Sequence, residues 1–145
     1  MRLLFLCTGN YYRSRFAEEL WHHLESTEPS GWHAESRGLY VHPGLGNVGP
    51  ISQYAQRALA GEGVRLSEPI RAPRQVESDD FGAFSLVVAM SDSEHRSMMQ
   101  SRFPAWADAI EYWDVEDIEV CPVETAMKNL TSRIHELRAR LRRAT

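Results

Sequence analysis

Residues 7–14 of the 145-residue chain read CTGNYYRS, which sets a thiol six residues ahead of an arginine and follows that arginine with a hydroxyl. A cysteine reacts as its thiolate, and a helix N-terminus or a nearby cation favours that form. The guanidinium of Arg13 is a planar fork that can hold two phosphate oxygens at once. Between them, Gly9 and Asn10 are residue types that accept positive φ, so the short polar segment Thr8, Gly9, Asn10, Tyr11 and Tyr12 can turn successive N–H groups toward one centre. Ser14 can donate a hydrogen bond to the sulfur of Cys7. The arrangement suits a loop that holds a phosphate and presents a nucleophile to its phosphorus. The plainer reading of Cys7 is a small buried hydrophobe at a strand end; the Gly-Asn turn, the serine after the arginine and the amphipathic segment beyond favour the phosphate reading.

These residues need a scaffold, and the flanking pattern supplies one. Residues 3–6 and 84–90 are continuous apolar runs that suit strands buried on both faces, with further strands expected at residues 32–36 and 109–113. Apolar stripes at three- and four-residue spacing mark helices through Phe16, Leu20 and Leu24, through Ile51, Ala55 and Leu59, and through Val123, Leu130, Ile134 and Leu141. Gly61 and Gly63 close the second of these, and Pro122 opens the last. The alternation predicts an α/β fold: a doubly wound, four-stranded parallel sheet flanked by helices on both faces, in a single domain over residues 1–145. Cys7 then falls where the first strand ends, the edge at which open α/β sheets bind ligands. Residues 37–49 read as an irregular glycine-rich loop.

Composition narrows the partners. With 43% hydrophobic and 25% charged residues the chain can bury a core, and its net charge of −4 gives no general attraction to nucleic acid or anionic membranes. No run approaches the roughly 20 apolar residues of a membrane span. Two distant cysteines without a signal-peptide pattern predict a cytoplasmic protein.

The segment CTGNYYRSR resembles the phosphate loop of the low-molecular-weight protein tyrosine phosphatases, and other segments are similar in the same order: Ser36-Arg37-Gly38, Leu66-Ser67 with Ala72-Pro73-Arg74-Gln75, Ala89-Met90, and Glu116-Asp117-Ile118. The resemblance implies a hydrolase that works through a phosphocysteine at Cys7, with Arg13 stabilising the transferred group and Asp117 as general acid and then base. Asp114 is the rival acid. Thr8, Gly9, Asn10, Tyr11, Tyr12 and Ser14 would surround the phosphate, and Ser36 would support the loop. It implies no metal and no cofactor. The expected partner is a phosphotyrosyl protein or a small phosphomonoester, turned over by a monomer or weak dimer without nucleic acid or membrane.

Several positions depart from the family pattern. Tyr12 stands where a second loop cysteine is usual, Ile118-Glu119-Val120 replace an aromatic pair, and the histidine expected after Leu-Ser is missing, with Pro69 or Arg71 nearby instead. Arg15 replaces a proline; if Arg15 and Arg37 reached the mouth they would favour acidic substrates. Phosphoarginine hydrolysis, for which Thr8 is suitable, is an alternative on the same scaffold. An arsenate reductase-like enzyme needs relay cysteines of which only Cys121 is present, and a non-catalytic phosphate-binding regulatory module is the non-enzymatic alternative. His22 and His23 read as boundary residues without metal-like spacing, and Met98 and Met99 as core filling.

Overall fold

The first apolar run forms β1 (Arg2–Cys7), and its side chains alternate between two cores, as the period of two in a strand requires. Leu3, Phe5 and Cys7 pack on one side with α1 (Arg13–Thr27), α2 (Gln53–Gly61) and α5 (Val123–Arg143). Leu4 and Leu6 pack on the other with Phe81 of α3 (Ser78–Ala83) and Met99 of α4 (Asp92–Arg102). The remaining strands are β2 (His33–Gly38), β3 (Leu86–Ala89) and β4 (Glu111–Tyr112), all parallel, in the order β2-β1-β3-β4. This is the expected four-stranded α/β sheet with helices on both faces. The computed structural model describes residues 1–144; the single-domain expectation runs one residue further, to Thr145, outside the described residues.

Three local differences from the sequence reading have simple causes. β4 has only two residues because β3 ends at Ala89: the Trp113 N–H still donates to the Ala89 carbonyl (2.8 Å), but beyond it the chain bonds to Met90 and Asp92, while the Trp113 ring packs in the first core and its indole N–H donates to Glu111. The six-residue α3 carries one buried side chain, too little for a periodic signal, and begins with a capping box formed by Glu77 and Asp80. Within residues 37–49, Pro43–Leu45 forms a single 3-10 turn closed by Gly46 in the left-handed region. Among the described residues no helix is long and apolar enough to cross a membrane.

Candidate active site

β1 pairs with β2 on one side and β3 on the other, so the order in which strands are added switches sides at β1, and the crevice of such a switch point lies at its carboxyl end. Cys7 is the last residue of β1, and residues 8–12 lead from it into α1. Two backbone features let this loop curl. Asn10 takes φ 51°, whereas Gly9, expected to share that role, is not in the left-handed region. Gly38 at the end of β2 lies so close that a Cβ there would sit 2.8 Å from the Thr8 carbonyl oxygen and 3.0 Å from the Asn10 nitrogen. Among the described residues, the N–H groups from Gly9 to Tyr12 donate to no protein acceptor. No side chain caps the start of α1 and no acidic residue sits in its first turn, so the positive end of the helix faces the same centre.

Hydrogen-bond directions beneath the loop follow from Asn10. Its side-chain N–H groups donate to Ser14 Oγ (2.9 Å) and Ser36 Oγ (2.8 Å), and its Oδ1 accepts from Arg71 Nη1 and from the Arg74 N–H, both at 2.9 Å. Ser14 is thereby an acceptor from Asn10 and keeps its one proton for Cys7 Sγ, 2.9 Å away. Ser36 donates to Glu18, which is also paired with Arg71 Nη2 at 2.7 Å. Arg71 further donates to the Ser36 carbonyl (3.0 Å) and hydroxyl (2.9 Å). Arg71 thus supports the loop from beneath with a cation.

Arg13 is almost fully buried and held from two directions. Nη1 donates to the Val115 carbonyl (3.0 Å), Nη2 to Glu94 Oε2 (2.8 Å), and Asp117 Oδ2 lies 3.8 Å from Nη2. Nε and one hydrogen on each Nη remain for a ligand. Burial works against the guanidinium charge, but Cys7, Glu94 and Asp117 outweigh it and raise its pKa. Glu94 Oε2 also accepts from the Thr8 hydroxyl and from His95 Nε2 at 2.8 Å. Burial would lift the Glu94 pKa, yet the hydrogen bonds from His95 and Arg13 hold its carboxyl well below the usual carboxylate range. His95 accepts the Ser91 N–H at Nδ1, which puts its own proton on Nε2, and burial lowers its pKa. Sequence reasoning missed both residues. They lie on α4, where only His95 and Met99 are buried and no apolar stripe marks the inner face.

The two candidate acids separate clearly. Asp114 accepts from Arg133 Nη2 (2.8 Å) on α5, with Asn129 beside it, and these bonds lower its pKa. Asp117 is the one of the pair directed at Arg13. Its loop is fastened to the start of α4 by Glu116, whose carboxylate accepts from Ser91 (3.2 Å) and Ser93 (3.3 Å).

Other expectations need correction. The Tyr12 N–H belongs to the loop, but its side chain is only 7% exposed, packs in the first core, and leaves its buried hydroxyl without a partner. Burial first, and Asp117 second, push its pKa up to about 12. Tyr11 stays at the surface and donates its hydroxyl to the Val48 carbonyl. Arg15 and Arg37 neither reach the mouth nor lie in solvent. Arg15 is buried on the carbonyls of Pro50 (2.8 Å) and Arg71 (3.0 Å), and Arg37 on Ser36 and Glu35. His22 does converge with Glu18 and Glu19. All three are already occupied, His22 at Ala34 and Ser67, Glu19 at Ser67, Glu18 at Arg71 and Ser36. Cys121 is half-buried against the core edge, and its N–H donates to the Asp117 carbonyl.

Comparison with known proteins agrees with this geometry. Residues 2–143 match the family of low molecular weight phosphotyrosine protein phosphatases. The low molecular weight protein tyrosine phosphatase of T. tengcongensis is 28% identical, with a TM-score of 0.76 over 100% of this chain and 99% of that one. The YwlE arginine phosphatase of Geobacillus stearothermophilus is 26% identical, with a TM-score of 0.77 over 99% and 94%. The Streptococcus pyogenes low molecular weight protein tyrosine phosphatase, at 20% identity and TM-score 0.78 over 97% and 92%, shares the fold. No curated protein sequence matches. With a family match that spans nearly its whole length, the chain belongs to the low molecular weight phosphotyrosine protein phosphatases and is a cysteine-dependent phosphatase.

Proposed function

We propose that Cys7 is the nucleophile, Arg13 and the loop N–H groups the phosphate cradle, and Asp117 the general acid and base of a protein tyrosine phosphatase. The observation that carries this is the convergence of Cys7, whose sulfur receives the Ser14 proton at 2.9 Å, with Arg13 and Asp117, 3.8 Å apart. The Cys7 thiolate attacks phosphorus in line, the P–O bond to the leaving group breaks, and the Asp117 carboxylic acid gives that oxygen its proton. The N–H groups from Gly9 to Tyr12 and the free edge of Arg13 meet the charge on the equatorial oxygens. Asp117, now a carboxylate, takes a proton from the water that attacks the phosphocysteine, releasing phosphate and the thiolate. Glu94 stays ionised and orients Arg13 rather than acting as the acid.

The proposed substrate is a phosphotyrosyl protein, and the proposed setting a single-domain cytoplasmic protein. Phosphoarginine is the second reading, favoured by the similarity to the arginine phosphatase. Thr8 does not by itself argue for it, because its hydroxyl is spent on Glu94. Turnover of p-nitrophenyl phosphate in the presence of chelator, by the wild type, Cys7→Ser and Asp117→Asn, tests the assignment. Activity that resists chelator, disappears in Cys7→Ser and falls at least about 100-fold in Asp117→Asn is expected. Equal activity in Asp117→Asn overturns the acid, and activity in Cys7→Ser overturns the nucleophile. Phosphotyrosine and phosphoarginine offered side by side separate the two substrates.

A further inference from the structure

Arg13 is gripped at two points of unequal stiffness. Nη1 donates to the Val115 carbonyl, an atom of the main chain (3.0 Å), whereas Nη2 donates to Glu94 (2.8 Å), a partly exposed carboxylate at the end of a flexible stem. Holding such a stem in one rotamer costs entropy, so the grip on Nη2 is only as firm as whatever holds Glu94. Three donors meet Glu94 Oε2: Arg13, the Thr8 hydroxyl, and Nε2 of His95 at 2.8 Å. Of these the imidazole is the group pinned at both ends. Its ring is fully buried, and Nδ1 accepts the N–H of Ser91 (3.0 Å), the residue that caps α4. That bond leaves the ring proton on Nε2, which faces Glu94 Oε2 and lies 3.1 Å from Thr8 Oγ. Ser91 is fixed in turn, since its Oγ accepts the Glu94 N–H (3.3 Å) and donates to Glu116 (3.2 Å). Apolar filling alone would not call for histidine here: a leucine or methionine would occupy the space without two polar atoms to satisfy.

We propose that His95 is a positioning residue for phosphoryl transfer: with its proton on Nε2 it holds Glu94 against Arg13, and so fixes the guanidinium hydrogens left for the phosphate. The inference rests on the phosphatase reading above and adds to it a residue that touches no substrate. Adjacent positions on a helix ordinarily point in different directions, so the meeting of Glu94 and His95 on one oxygen comes from the anchoring of the ring. The guanidinium binds phosphate oxygens through a planar fork, whose alignment is lost when the plane tilts or slides. With the ring in place, both ends of that plane are tied to the main chain, directly at Val115 and through Glu94 and His95 at Ser91.

The test uses two replacements that each keep one of the ring's bonds. The amide nitrogen of Gln stands in for Nε2 and can still donate to Glu94, while the amide oxygen of Asn stands in for Nδ1 and can still accept the Ser91 N–H. Turnover of p-nitrophenyl phosphate is measured per folded enzyme, with the folded fraction taken from urea denaturation. His95→Gln is expected to stay within about threefold of the wild-type kcat/KM, and His95→Asn to fall about tenfold or more, the worth of one hydrogen bond to a charged group. Because the residue acts through Glu94, the Asn loss should shrink to about threefold or less when it is added to Glu94→Gln. A loss in His95→Gln of about tenfold, or equal to that in His95→Asn, overturns the assignment and leaves the phosphatase reading standing. So does a full Asn loss on top of Glu94→Gln. No turnover by the wild type overturns both.

Discussion

Arg71 is the residue whose removal tests most about this site, because one guanidinium joins Glu18, Asn10 and both oxygens of Ser36. Arg71→Met keeps much of the stem and deletes the charge. Glu18, a buried carboxylate, then loses its cation at 2.7 Å. Breaking a fully buried pair from one side costs about 3–5 kcal/mol. The Arg71 side chain is 27% exposed, so water partly screens the pair and the loss is reduced to about 2–3 kcal/mol. A small gain opposes it at Arg15, whose pKa is lowered by burial and next by the neighbouring Arg71 charge. The expected net loss is about 2 kcal/mol at pH 7, read from urea denaturation midpoints at common slope. Adding Glu18→Gln removes the stranded charge while keeping an acceptor for Ser36, so the double variant should regain about half of that loss. Phosphatase turnover should fall about tenfold or more in Arg71→Met, since Asn10 keeps only the Arg74 N–H on its oxygen and the Ser14 orientation depends on Asn10. A stability loss under about 0.5 kcal/mol, or a double variant no more stable than the single one, would refute the idea that Arg71 is there to balance Glu18 beneath the loop.

Glu94→Gln should lower kcat/KM on p-nitrophenyl phosphate about tenfold through Arg13, the value of one charge-assisted hydrogen bond. The folded-state pKa of Glu94 is depressed, so its stabilising contribution is present above the unfolded carboxylate value of about 4.3 and is lost as pH falls below it. The stability gap between wild type and Glu94→Gln should therefore be wide at pH 7, begin to narrow below about pH 4 and go on narrowing as pH falls toward the depressed folded-state value; a gap that stays constant between about pH 4 and pH 2 contradicts this. Tyr12→Phe removes a buried hydroxyl that has no partner and should leave stability at neutral pH equal or about 1 kcal/mol higher. The raised pKa of Tyr12 means that the wild type loses stability as pH rises from about 10, the unfolded value, toward about 12, and the Phe variant should lack that part of the alkaline loss. Asp114→Asn should keep turnover within about twofold, because its carboxylate serves Arg133; a 100-fold loss there would exchange the roles of Asp114 and Asp117. Peroxide inactivation at Cys7 should resist reversal by dithiothreitol, since Tyr12 offers no second loop thiol; near-complete recovery would refute this.

The parts of the fold legible in the sequence are those that bury apolar side chains at a fixed period. β1 announces itself through four consecutive apolar residues followed by Cys7, and α5 through a stripe from Ala126 to Leu141. The loop between β1 and α1 could be read because its chemistry depends on local order. α4 was not legible in the same way, since its inner face carries a histidine and a methionine among charged residues, and with it Glu94 was hidden. Arginine usually signals solvent. Arg15 and Arg71 break that association because a backbone carbonyl and a buried carboxylate from segments far apart in the chain accept their hydrogen bonds, and Arg37 breaks it on its own neighbours Ser36 and Glu35. The supporting role of Arg71 is likewise visible only once Glu18, Ser36 and Asn10 are brought together.

The central claim is that the phosphoryl group passes through the sulfur of Cys7. Acid quenching of the wild type and of Asp117→Asn during turnover of p-nitrophenyl phosphate, followed by peptide mass spectrometry, reads this directly. One added phosphoryl group on the peptide that contains Cys7, more abundant in Asp117→Asn and absent from Cys7→Ala, is the expected result. Sustained turnover with that peptide unmodified, or with the phosphoryl group on another residue, would contradict it.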